Sequence, residues 1–98
     1  MKRLAYFDWD PAKNELLKKE REISFEDVVI AIEEGHLLDI VAHHNPRRYP
    51  YQKIFVVEVS RYVYLVPFVE DEGRIFLKTI IPSRKATRHY VITRNKRS

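Results

Sequence analysis

The stretch Lys53-Ile54-Phe55-Val56-Val57-Glu58-Val59-Ser60-Arg61-Tyr62-Val63-Tyr64-Leu65-Val66-Pro67-Phe68-Val69 decides the fold class. Two runs rich in β-branched and aromatic residues flank a two-residue break, Ser60-Arg61, which predicts an antiparallel hairpin. A third run, Arg74 to Ile81, comes after Glu70-Asp71-Glu72-Gly73 and extends the hairpin into a meander. In the second run Tyr62, Tyr64, Val66 and Phe68 alternate with Val63, Leu65, Pro67 and Val69, so both faces are apolar and both are expected to be covered. Pro67 lacks a ladder donor and predicts an edge or a bulge. In the third run, strict alternation places Arg74, Phe76, Lys78 and Ile80 on one face and Ile75, Leu77, Thr79 and Ile81 on the other.

Upstream, the period is helical. Asp10-Pro11 marks a helix start, with Asp10 as cap and Pro11 where a missing N–H costs nothing. That helix runs to about Glu20 and turns a narrow stripe of Ala12, Leu16 and Leu17 inward. Ser24 and Asp27 form an aspartate version of the capping box, and Ile23 is placed to staple against Val28. Phe25, Val28, Val29 and Ile32 recur at i, i+3, i+4 and i+7, and Gly35 supplies a left-handed stop. Leu37 to His44 reads as a further strand, and Asn45-Pro46-Arg47-Arg48-Tyr49-Pro50 as a loop. Downstream, Pro82-Ser83 ends the meander and caps a short helix from Arg84 to about Ile92. The expected order is α-α-β-β-β-β-α in the α+β class. Two N-terminal helices pack on a small, mostly antiparallel sheet of three to four strands, whose opposite face stays partly free beside a basic C-terminal helix.

With 98 residues, 45% of them apolar, the chain suits one domain over 1–98, with residues 94–98 as a basic tail. The absence of cysteine excludes disulfide frameworks, thiolate metal sites and a cysteine nucleophile. No run approaches the roughly 18 apolar residues of a membrane span, and the expected location is the cytoplasm. Charge is divided: residues 1–42 hold 10 acids and 6 Lys/Arg, whereas residues 43–98 hold 12 Lys/Arg and 4 acids. The second half is therefore suited to a polyanion or an acidic partner.

Chemistry concentrates in Lys78-Thr79-Ile80-Ile81-Pro82-Ser83-Arg84-Lys85-Ala86-Thr87-Arg88-His89-Tyr90. Arg84 and Lys85 stand at a helix N-terminus, where helix stability alone favours acids, so an anion is expected there. Arg84 and Arg88 share a helical face and could clasp phosphate; pairing with the chain's own acids, such as Glu58 or Glu70, is the competing reading. Cleavage of RNA by transesterification needs a base for the 2′-OH, cations at the phosphate and an acid for the leaving 5′ oxygen. The catalytic candidates are Arg84, Arg88, His89, Lys78 and Tyr90, with His43, His44 and Tyr49 as further titratable groups. The RNA-binding candidates are Lys53, Arg47, Arg48, Lys85 and Tyr51. On a strand the rings of His43 and His44 would point to opposite faces, and no metal site or cofactor is expected.

Phe7-Asp8-Trp9-Asp10-Pro11-Ala12-Lys13-Asn14, together with Ile23-Ser24-Phe25-Glu26-Asp27-Val28, resembles the opening of the BrnT family of bacterial toxins. Pro82-Ser83-Arg84-Lys85-Ala86-Thr87 resembles that family's closing signature. The resemblance spans roughly residues 6–90 and implies a RelE-like fold and a metal-independent ribonuclease that blocks translation. It also implies a cognate DNA-binding antitoxin as partner, with operator DNA contacted only through that antitoxin. Arg84 matches the arginine of the closing signature, and Lys78 and Lys53 fall where basic strand residues are usual. The chain departs from the pattern at Pro67-Phe68, where a histidine is frequent, and at Arg88-His89-Tyr90, where a glutamate is frequent. The alternative is a noncatalytic module of the same fold that binds nucleic acid or antitoxin.

Overall fold

The computed structural model describes residues 6–93. Among these residues, six strands and three helices are arranged in the order β1 (Tyr6–Asp8), α1 (Pro11–Arg21), α2 (Phe25–Glu33), β2 (Leu37–Ala42), β3 (Gln52–Val59), β4 (Tyr62–Asp71), β5 (Arg74–Leu77), β6 (Ile81–Pro82) and α3 (Arg84–Thr87), which continues as a π-helical turn over Arg88–Ile92. The class is α+β. The sheet is larger and more mixed than the sequence predicts: it runs β1-β5-β4-β3-β2, with β6 also on β4. Its β1 edge is parallel to β5, whereas the other pairings are antiparallel. Three residues of β1 are too few to display a period, which is why this strand is missing from the expected order. The expected basic tail, 94–98, lies outside the described residues.

Local signals set the helical layer. Asp10 accepts from the Ala12 N–H, and Ser24 and Asp27 exchange both bonds of the capping box at 3.1 and 3.0 Å. Helix α2 ends in a Schellman motif: Gly35, at φ 91°, donates to the Ile32 carbonyl while His36 donates to that of Ala31. Buried Asn14 joins the two helices, accepting from the Phe25 N–H and donating to Glu26 Oε1, each at 2.8 Å. Leu17 is buried beside it, but Ala12 and Leu16, both expected inward, are exposed, so the inward stripe of α1 is narrower still.

The two sheet faces are covered by different helices. Phe55, Val57, Val66, Phe68, Leu77 and Ile80 pack beneath α1 and α2 with Phe25, Val28 and Val29. Trp9 stacks on Phe25 at 5.6 Å, and Phe55 on Phe68 at 3.8 Å. On the other face Val56 and Val63 form a smaller core with Val91 of the π-helical turn, flanked by Leu38, Leu65, Ala86 and Tyr90. The C-terminal helix therefore lies across the face expected to be partly free. The apolar alternation of β4 is satisfied on both sides largely by the chain's own helices.

Pro67 explains how the chain reaches that face. The Lys78 N–H donates to the Pro67 carbonyl at 2.8 Å, and the reciprocal bond would need the N–H that proline lacks. β5 ends there. Between the pairs Phe68–Leu77 and Leu65–Ile81, β4 advances from 68 to 65 while the opposing chain advances from 77 to 81, one residue more. This β-bulge reverses the facing of Ile80 and Ile81. Ile80 is fully buried and Ile81 is 41% exposed, so Lys78 and Ile80 do not share a face, contrary to strict alternation.

Candidate nucleic-acid interface

The bulge delivers Ser83 to Val63, where its N–H donates to the Val63 carbonyl. Ser83 then caps the helix, its Oγ accepting from the Ala86 N–H at 3.0 Å. One turn on, buried Thr87 accepts from the Val63 N–H through Oγ1 and donates to the Ser83 carbonyl, both at 2.8 Å. Together with Val91, this clamp presses one side of the helix onto β4. Residues 85 and 89, two positions from 87 and 91, consequently stand on the solvent crest; Arg84 and Arg88 occupy one flank, and Ala86 and Tyr90 the other. The regular α-helical turn ends at Thr87, and Ser83 already caps it, so the anion-binding role expected of a helix N-terminus passes to the side chains.

Among the described residues the ion pairs are Lys18–Glu15 at 3.1 Å and Arg74–Asp8 at 3.6 Å, and Arg84, Lys85 and Arg88 are exposed without one.

Beside the helix lies an open, shallow cavity of about 290 Å³ lined by Leu65, Ser83, Lys85, Ala86, His89 and Tyr90. The rings of His89 and Tyr90 meet nearly at right angles with centroids 4.8 Å apart. Tyr90 donates to Asp39 Oδ2 at 3.4 Å. Burial, and then the Asp39 carboxylate and this hydrogen bond, push the phenol above its ordinary value, keeping it protonated. Asp39, on β2 and 51 residues away, carries no sequence signal that would pair it with Tyr90.

The remaining candidates are dispersed. Lys78 is on the same sheet face as the C-terminal helix, with its ammonium 5.7 Å from the Phe76 ring centroid. Its Pro67 partner lies four β4 residues from Val63, so about 13 Å of strand separates it from the Ser83 anchor. Lys53 and Tyr51 face away from this helix and line a different cavity, of about 410 Å³, with Pro50, Phe68, Glu70, Glu72 and Gly73. Arg47 and Arg48 sit in the β2–β3 connection, where Arg48 lies over the Tyr49 ring. There His43 and His44 stack at 4.4 Å instead of facing opposite ways, because β2 ends at Ala42 and strand alternation no longer applies. Among the described residues, no group of three or more potential metal ligands converges.

The structure thus gathers Arg84, Lys85, Arg88, His89 and Tyr90 on one helix, keeps Lys78 at a distance on the same face, and places Lys53, Tyr51, Arg47 and Arg48 elsewhere. Comparison with protein-family models, with curated proteins and with solved structures gives no match for this chain.

Proposed function

We propose that the chain is a BrnT-like toxin with a RelE-like arrangement of its helices and sheet, cutting RNA in the cytoplasm and thereby stopping translation. The observation that carries this reading is the cationic row Arg84, Lys85 and Arg88, which has no ion pair among the described residues, on a helix clamped to the sheet with His89 on its crest. A phosphodiester laid over the crest meets Lys85 directly and the two arginines from one flank. In transesterification the 2′ oxygen loses its proton, attacks phosphorus and expels the 5′ oxygen, which takes up a proton. His89 is the base nearest the cations in this arrangement, the arginines hold the charge that builds on the phosphoryl oxygens, and protonated Tyr90 is the acid at the other flank. These groups come from the protein itself, which is the basis for reading the reaction as metal-independent. By the family resemblance, a DNA-binding antitoxin holds the toxin inactive and supplies the contact with operator DNA. Exposed Ile40 and Val41 on edge strand β2 are apolar surface of the kind such a partner covers.

A second reading, a noncatalytic binding module, is favoured by one feature: the Tyr90 phenol is tied to Asp39, on the flank away from Arg84 and Arg88. Purified protein incubated with RNA in the presence of chelator separates the two. Cleavage leaving 2′,3′-cyclic phosphate ends, reduced about 100-fold in Arg84→Ala, supports the toxin. Salt-sensitive binding without cleavage or growth arrest supports the module.

A further inference from the structure

The apolar cavity beside the C-terminal helix has a property the cleavage chemistry does not require. Leu65, Ser83, Lys85 and Ala86 line it together with the His89–Tyr90 pair, whose planes differ by 88°. A flat ring set against one of these side chains meets the edge of the other, the two geometries that aromatic pairs prefer. At about 290 Å³ it is an open, shallow hollow, with room for one ring laid against its side chains and too little enclosure to engulf a larger molecule. Arg84, Lys85 and Arg88, without an ion pair among the described residues, lie along the same helix, spread over more than one turn, so the ring belongs to a ligand carrying several negative charges in a row.

Resting on the RNA reading above, we propose that this cavity takes one unstacked nucleobase of single-stranded RNA, with Lys85 on the adjoining phosphate. A base inside a duplex is stacked on both sides and cannot enter, so duplex reaches only the cations. The cavity therefore selects single strands and holds the backbone in one register over the helix crest, where His89 stands.

The test is fluorescence anisotropy at one fixed ionic strength with three labelled probes: an adenosine decamer, an abasic ribose-phosphate strand of the same length, and the decamer paired with its complement. The decamer is expected to bind about tenfold more tightly than either other probe, the gain of one stacked base. Ala86→Leu fills the cavity without offering a π face; it should erase that preference while leaving abasic binding within about twofold, as expected when phosphate contacts persist. Ala86→Ile serves if the leucine variant does not fold. Lys85→Ala should weaken all three probes. Equal binding of all three by wild type, or a preference that survives in a folded cavity-filled variant, overturns the proposal. Failure to bind any strand overturns the RNA reading together with it, whereas equal binding removes the base pocket alone.

Discussion

Thr87→Val tests whether the clamp on β4 holds the C-terminal helix in place. The substitution keeps the β-branched shape and volume, so it opens no cavity, but it removes the hydroxyl. The Ser83 carbonyl retains a partner, because the Thr87 N–H also donates to it at 3.0 Å. The Val63 N–H does not: it sits on a fully buried residue and loses the acceptor it meets at 2.8 Å. Leaving such a donor without a partner costs about 1–3 kcal/mol. For a domain of this size the melting temperature moves by about 4–8 °C per kcal/mol, so a fall of roughly 5–20 °C is expected. Thr87→Ser keeps the acceptor and gives up one methyl, about 0.8 kcal/mol, and should lie between wild type and valine. Thermal unfolding by circular dichroism, checked by urea titration with unchanged m values, measures the series. Valine as stable as wild type, or serine less stable than valine, would refute the clamp as the anchor of the site.

Four further outcomes are expected. The hydrogen bond from Asn14 is the main cause holding the Glu26 carboxyl below its ordinary value, so its contribution to stability is present above the unfolded carboxylate range and lost as pH falls through the folded value; Asn14→Ala should flatten that part of the acid limb in a pH series of melts. Ser60 and Arg61 both adopt left-handed conformations, at φ 52° and 66°, so the double variant Ser60→Asn, Arg61→Gly should raise stability by about 1 kcal/mol in urea unfolding. Arg88→Ala should lower the slope of log affinity against log salt by about 0.7 for single-stranded RNA, and an unchanged slope removes Arg88 from the interface. The Tyr90 phenol is raised first by burial and then by Asp39, so Asp39→Asn should bring its titration part of the way down; in wild type the stability linked to it is present below the ordinary phenol value and lost as pH rises through the folded value.

Features written in adjacent residues were legible. The Ser24–Asp27 box and the Gly35 stop are closed by atoms within a few positions of each other, and the hairpin around Ser60-Arg61 needs only the loop length. Features that depend on distant packing were not. Nothing in Tyr6-Phe7-Asp8 marks a strand, because its partner Arg74-Ile75-Phe76 supplies the ladder from the far end of the chain. The cover on the second sheet face was visible only as a surplus: Val63 and Leu65 were apolar on a face with no assigned helix, while Ala86 and Val91 belonged to a helix with no assigned face. The cationic row could be named from sequence, but that it forms no ion pair among the described residues could not.

The bulge at Pro67 connects these observations. Without its extra residue, Ile80 would turn toward the C-terminal face and Ile81 would take its place in the core, as strict alternation predicts. Ser83 would then be out of phase with Val63, and the pairing that starts the helix over β4 would be lost. The same side-chain sequence Arg84-Lys85-Ala86-Thr87 would lack the Thr87 clamp that sets which residues face solvent. Pro67, which the sequence marks as an edge or a bulge, thus lies opposite the extra residue that phases the chain into the helix, and that phase sets the facing of Arg84, Lys85 and His89.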